Sequence, residues 1–264
     1  MQLHDNAFSP YAFKVRAVLY EKRAEFTKCE IERAADRESL LRLNPRGEVP
    51  VLVDGDAVLC DSKVICAYLE ERFPEPELIP KEPVLRARCR YLELKSDTEL
   101  DACVFVLAIL KLTRPDALAA SPEALTRATE LLSRLYGVWE RELAGRDWLL
   151  GAFSLVDIAL APHVRAAAFL GHPPGPEHPA LSAWLTRVKQ RPSLRQATLN
   201  HSSPPTSLIG VHQKLTKQQG ENVTAFGLVA GRYPYGYHLE GPRRALPMSR
   251  PAIRTFIRRL KRVT

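Results

Sequence analysis

Two serines stand where hydroxyl chemistry is available: Ser9, which precedes Pro10, and Ser62, which follows Asp61. Proline has no N–H to lose at the first position of a helix, so Ser9-Pro10 reads as a helix start. Asp61-Ser62, set before an apolar run, reads the same way. A helix start gathers unpaired N–H groups and the positive end of the helix dipole. A serine there either caps its own helix or offers hydroxyl and N–H groups to an anion. For both dipeptides the two readings stay open. Glu48-Val49-Pro50 is a third candidate. Its proline either opens a strand or, with a cis bond before it, turns the backbone toward a ligand. Ser154 and Asp157 have the spacing of a capping box, with Asp where Glu is usual, and read as structural.

Other chemistries are argued against by spacing. The cysteines are Cys29, Cys60, Cys66, Cys89 and Cys103, with no CxxC pair and no Cys/His set at zinc spacing. His4, His163, His172, His178, His201, His212 and His238 show no ligand spacing either, so no metal is expected. Free, mostly buried thiols in a reducing compartment are expected, and with them a cytoplasmic protein. No secretory signal and no run of eighteen apolar residues is read.

The elements that must position these residues follow from periodicity. Strands are expected at Gln2–His4, Glu25–Ile31, Val49–Val53 and Ala57–Cys60, the last two joined by an Asp54-Gly55 hairpin turn. Helices are expected from Pro10 to about Arg23, with Phe13, Val15, Val18 and Leu19 inward, over Arg37–Leu43, and from Ser62 to about Arg72. The four prolines of Phe73–Pro83 mark a linker. Beyond it the pattern is helical: one long helix over about Val84–Leu112, then helices from Ser121-Pro122 to about Leu143, over Ser154–Leu170 and over Ala180–Gln190. Trp139, Trp148 and Trp184 are expected in the core.

The 264 residues carry a net charge of +8, and the excess is local. Residues 201–264 hold 11 Lys and Arg against Glu221 and Glu240, leaving 27 basic against 28 acidic side chains in residues 1–200. The body is neutral, so no nucleic-acid partner is expected. Residues 201–264 read as a basic extension of low order, and within it Pro251–Arg262 offers a basic amphipathic face to an anionic membrane.

The order β-α-β-α-β-β-α, a Val-Pro leading into the third strand and an all-helical second half resemble the cytosolic glutathione transferase family over roughly residues 1–197. The resemblance implies a thioredoxin-like glutathione-binding domain over residues 1–73, a linker over 74–83 and an all-helical domain over 84–200. Ser9-Pro10-Tyr11-Ala12 resembles the redox motif of glutaredoxins with both sulfurs replaced. By that resemblance Ser9 is the catalytic hydroxyl, donating to the glutathione sulfur as in serine-type members. Glu48, Val49 and Pro50 would hold the glycyl and cysteinyl parts of glutathione, with Val49 pairing through its backbone. Asp61 would take the γ-glutamyl ammonium, and Ser62 its carboxylate. Many relatives carry Lys or Gln where Glu48 stands; Arg46 or Lys14 could offset its charge. Tyr11, Ala12, Asp101 and Phe105 would line the electrophile pocket. The implied activity is conjugation of the glutathione thiolate to a small hydrophobic electrophile, or glutathione-dependent peroxide reduction, by a homodimer in detoxification. The alternative within the family is a non-catalytic assembly or regulatory module.

Overall fold

The computed structural model describes residues 1–31, 34–108, 111 and 122–199. The described fold lies within the first of two units of the chain, Met1–Pro204, the second being Pro205–Thr264. The expected extension over 201–264, its helix at Pro251–Arg262, the cap at Ser121 and the end of the long helix toward Leu112 fall outside the described residues.

The first half forms β1 (Gln2–Asp5), α1 (Pro10–Glu21), β2 (Thr27–Glu30), α2 (Ala34–Leu43), β3 (Val51–Asp54), β4 (Ala57–Cys60) and α3 (Ser62–Arg72). The strand order is β2-β1-β3-β4, with β1 parallel to β2 and antiparallel to β3, and β3 antiparallel to β4. The parallel pair requires a crossover, which α1 supplies. The hairpin closes with Asp54 opposite Ala57, and Gly55 takes the left-handed conformation (φ 59°) that the tight turn demands. This is the thioredoxin-like half of the fold.

The second half is helical: α4 (Pro83–Lys95), a π-helical turn (Ser96–Leu100), α5 (Asp101–Ala108), α6 (Pro122–Leu143), α7 (Leu155–Phe169), α8 (Pro179–Gln190) and α9 (Pro192–Leu199). Two expectations need correction. Pro83 is not linker but the first residue of α4, because the Glu82 carboxylate caps the N–H groups of Val84 and Leu85 and proline suits the position behind such a cap. The helix expected to run unbroken from Val84 is interrupted by the π turn. The short helix α9 was not foreseen. Its Leu194 and Ala197 are fully buried, and burial rather than length holds its eight residues.

Helix α6 shows why the helical half packs. Ala124, Ala128, Leu132, Leu135, Tyr136, Trp139 and Leu143 recur every three or four residues and are all buried. The inward residues expected in α1 are buried too, but so are Lys14 and Arg16, each 1% exposed. Helix α1 is enclosed, packed against α3 on one side and against α7 and α9 on the other. Its cations therefore need partners. Arg16 pairs with Asp5 and donates through Nε to Ala197 O (3.1 Å). Lys22 pairs with Glu70 at 2.6 Å and donates to Pro76 O at the same distance.

Candidate functional site

Strand register decides which of the expected residues meet. His4 stands opposite Val51, and Val51 opposite Cys60. At that end of the sheet β1 leaves toward Ser9, β3 enters from Val49-Pro50, and β4 leaves into Asp61-Ser62. The three segments are thus gathered at one end of three adjacent strands. Glu48 adjoins them.

The loop to Ser9 is built by Asn6. Its Oδ1 accepts from Phe8 N–H (3.0 Å), its Nδ2 donates to Ile31 O (3.0 Å), and Ser9 N–H donates to Asn6 O (3.1 Å). Ser9 is 3% exposed and caps α1, its Oγ accepting from Ala12 N–H at 3.1 Å. One acceptor position is thereby used, and the hydroxyl hydrogen remains to be donated. The Val49–Pro50 bond is cis. Asp61 caps α3, its Oδ1 accepting from Lys63 N–H (2.8 Å), with backbone angles of φ 76° and ψ 129°. That conformation is costly for a residue with a Cβ, by roughly 1–3 kcal/mol, and such strain clusters at ligand sites. Ser62 is buried, and its side chain makes no hydrogen bond among the described residues.

The charge of Glu48 is met locally: its Oε2 lies 2.8 Å from Arg46 Nη2. Asn44 organises this loop, donating to Glu48 O (2.9 Å) and accepting from Arg46 N–H (3.1 Å). Lys14 takes no part, since it is committed elsewhere. Its Nζ lies 2.7 Å from Glu93 and 2.6 Å from Asp97, all three nearly dry.

This triad is the centre of a polar seam between α1 and the helical half that sequence reasoning missed. His163, from α7, faces both acids, with Nδ1 3.4 Å from Asp101 Oδ1 and Nε2 3.9 Å from Asp97 Oδ1. Tyr11 Oη lies 3.0 Å from both Asp97 O and Asp101 Oδ2. Lys63, the neighbour of Ser62, reaches Asp97 Oδ2 at 3.8 Å. Burial opposes the charge on Lys14, yet Asp97 and Glu93 outweigh it and hold the ammonium above its ordinary pKa. Burial likewise opposes the Asp97 carboxylate, and Lys14 and His163 hold it below the usual range. Burial prevails at Asp101 and raises its pKa. The available signal was the spacing of Asp97 and Asp101, four apart on one helix with Glu93 one turn earlier. His163 carried no signal, because its partners come from another helix.

The four residues expected on the electrophile wall separate. Tyr11 and Asp101 are hydrogen-bonded to each other. Phe105 lies one turn beyond Asp101 on α5 and is half-buried. Ala12 has no exposed surface, because α1 is covered by the helices packed against it, and so lines no pocket wall; its N–H donates to Ser9 Oγ. Away from the site, Asp157 links Ser154 to the core. It accepts from Ser154 N–H (3.0 Å), Ser154 Oγ (3.1 Å), Leu149 N–H (3.2 Å) and Trp184 Nε1 (2.8 Å). All five cysteines are free, with Cys66, Cys89 and Cys103 buried. Burial raises all three thiols, those of Cys89 and Cys103 to about 12. Among the described residues no cluster of His, Cys, Asp and Glu is arranged for a metal ion, and no helix is long and apolar enough to cross a membrane.

Known proteins resemble this chain over most of its length. Residues 3–77 match the glutathione S-transferase N-terminal domain and residues 122–187 the glutathione S-transferase C-terminal domain. FtsZ-localized protein A of Caulobacter vibrioides is 31% identical, over 73% of this chain and 88% of that protein. A stringent starvation protein A homolog of Coxiella burnetii is 32% identical, over 80% of this chain and 97% of its own length. The crystal structure of a glutathione S-transferase from Rhodospirillum rubrum superposes with a TM-score of 0.63 at 30% identity, covering 80% of this chain and 98% of that one. With its sheet order, its helical second half and these relatives, the chain belongs to the glutathione S-transferase family.

Proposed function

We propose that this chain is a glutathione transferase that binds glutathione across the sheet end and adds its thiolate to a small apolar electrophile. The observation that carries the proposal is the register of His4, Val51 and Cys60, which gathers Ser9, Val49-Pro50 and Asp61-Ser62 at one end of the sheet. A free thiol with a pKa near 8.5 is only a few per cent ionised at neutral pH. Lowering that pKa by about two units takes about 2.7 kcal/mol. The Ser9 hydroxyl, donating to sulfur beside the positive end of α1, supplies a charge-assisted bond of about 1.5–3 kcal/mol. Val49 pairs with the cysteinyl backbone as an added strand would. Asp61 takes the γ-glutamyl ammonium, and the Ser62 hydroxyl and N–H take its carboxylate at the start of α3. Arg46 draws the Glu48 charge away from the glycyl carboxylate. Residues 1–73 hold glutathione, and the helical half that begins at Pro83 supplies the electrophile wall through Asp101 and Phe105, with Tyr11 bonded to Asp101.

The protein acts as a cytoplasmic homodimer in detoxification. Val84 and Tyr91, seven residues apart on α4, are 73% and 57% exposed, and Val64 on α3 is 52% exposed, an apolar display suited to a second subunit. Peroxide reduction uses the same thiolate.

Retention on immobilised glutathione and turnover of a chlorinated nitrobenzene test the proposal. Ser9→Ala is expected to lower turnover roughly tens- to hundreds-fold, the loss of one charge-assisted bond in the transition state, while glutathione affinity stays nearly intact. Full turnover in Ser9→Ala would show the serine to be only a cap.

A second reading, an assembly or regulatory module, is favoured by the engagement of Ser9 Oγ as a cap and by the acidic Glu48. The relatives named for FtsZ localisation and for stringent starvation point the same way. A wild-type chain that neither binds the glutathione resin nor turns over substrate supports it.

A further inference from the structure

Tyr11 lies in the first turn of α1, two residues beyond Ser9, and its hydroxyl crosses to the helical half. The acceptors it meets there are a carbonyl of the π turn and the carboxylate of Asp101, the first residue of α5. Asp101 N–H bonds to Ser96 O, five residues back, and to Thr98 O, leaving Asp97 O without that bond. Asp97 O accepts the Tyr11 hydroxyl at 3.0 Å, and Asp101 Oδ2 lies at the same distance. The other oxygen of Asp101 faces His163 Nδ1 at 3.4 Å, so the carboxylate is held from behind. Lys14, one turn along α1, grips Asp97 Oδ2 at 2.6 Å. The residue after Tyr11 is Ala12, whose N–H is the group on which Ser9 Oγ rests. An unbroken run of contacts leads from the π turn through Tyr11 and Ala12 N–H to the Ser9 hydroxyl.

We infer that Tyr11, the Asp97 carbonyl and the Asp101 carboxylate form a latch that fixes the first turn of α1 against the helical half and thereby aims the Ser9 hydroxyl, with His163 bracing Asp101. Tyr11 and Asp101 are then positioning residues for the thiolate, acting through Ser9. The inference rests on the conjugation proposed above. Its physical basis is that a donor displaced by about 1 Å from its target can cost up to a hundredfold in rate. Backbone N–H groups ordered by a helix start are displaced only if that turn moves. The π turn has a purpose in this account, since an unbroken α-helix would use the Asp97 carbonyl internally.

The experiment uses the full chain, steady-state turnover with glutathione and a chlorinated nitrobenzene, and the ultraviolet thiolate band of bound glutathione followed against pH. Tyr11→Phe is expected to lower kcat about tenfold with the KM for glutathione within about twofold, and to move the thiolate titration to higher pH. Asp101→Ala is expected to shift kcat and the titration in the same directions by less, since the Asp97 carbonyl still accepts from Tyr11. The double variant is expected to be no worse than Tyr11→Phe alone, because losing the Tyr11 hydroxyl already removes the contact that Asp101→Ala breaks. Asp101→Asn, whose amide oxygen still accepts from Tyr11, is expected to recover more than half of what Asp101→Ala loses. A residue serving only stability would lower the melting temperature and leave the thiolate titration in place, and that result overturns the latch. So does a double variant that loses the product of the two single losses. The two Asp101 variants make the comparison without touching Tyr11, so a Tyr11→Phe chain that does not fold leaves the latch open to refutation. A wild-type chain that forms no thiolate overturns conjugation and the latch together. A wild-type thiolate with an unmoved Tyr11→Phe titration overturns the latch alone.

Discussion

The sheet end takes its polar residues from the strand ends and the starts of α1 and α3, and the polar seam from α1, Lys63 and the helices of the second half, and their hydrogen-bonding states are opposite. At the sheet end, Ser9 keeps a hydrogen to give, the Ser62 side chain is unbonded among the described residues, and Asp61 sits exposed in a costly backbone conformation. In the seam, Lys14 has two carboxylates, Asp97 has Lys14, Lys63 and His163, and Asp101 has Tyr11 and His163. None of the buried side-chain nitrogen and oxygen atoms left without a partner among the described residues belongs to the seam. Groups with bonds still to make suit a ligand; groups with bonds already made suit a joint. Substitution at the first should change binding or turnover, and at the second stability or the setting of the first.

Lys14→Met is the largest test of that contrast. It leaves Glu93 buried without the Lys14 cation and Asp97 with only the more distant Lys63 and His163, a loss expected near 3–5 kcal/mol. For a body of this size that is a fall of about 10 °C in melting temperature. A loss under about 1 kcal/mol in urea unfolding would mean that water reaches the seam.

Asp157 separates cation pairing from hydrogen bonding. It has four donors and no ion pair among the described residues, and burial pushes its carboxyl up to about 6, whereas Asp97 beside Lys14 is held down. Unfolded, Asp157 titrates near its ordinary value of about 3.9. The folded chain therefore binds the extra proton between about pH 4 and pH 6, and this group's contribution to stability grows as pH falls through that window and is lost as pH rises. The change is expected to be about 3 kcal/mol. Asp157→Asn removes that slope, which urea unfolding at successive pH values will read. An unchanged slope would show that the four donors keep the carboxylate ionised.

Smaller effects belong to the sheet end. Asp61→Ala and Ser62→Ala are expected to raise the KM for glutathione several-fold, about 1 kcal/mol, with kcat nearly unchanged, since they touch a part of the ligand that does not react. A loss confined to kcat would contradict their placement. The smallest effect is expected on truncation after Pro204, the end of the first unit. Melting temperature should stay within a few degrees, and aggregation would show that residues beyond Pro204 complete the core.

The legibility of these regions differs for a physical reason. Strand and helix starts are written locally. Ser9-Pro10, Asp54-Gly55 and Asp61-Ser62 each bias the backbone within three or four residues, and all three appear where the sequence puts them. The stripe of α6 and the inward face of α1 are equally local. The interruption of the helix after Lys95 is not, because no proline or glycine breaks Ser96–Leu100. Nor is the burial of Lys14, which sequence reasoning offered to Glu48.

What the sequence by itself determined is the element order of the first half, the caps at Ser9 and Asp61, the Asp54-Gly55 turn and the thiol count. Each depends on contacts within a few residues of chain, where covalent connection already holds the partners together. Tertiary structure alone decided that Lys14 faces Glu93 and Asp97 across 79 and 83 residues of chain. It alone brought His163 to Asp101 and gave the Asp97 carbonyl to Tyr11. Those pairings arise because α1 is enclosed on all sides, so its charged side chains meet whatever the packed helices present rather than water.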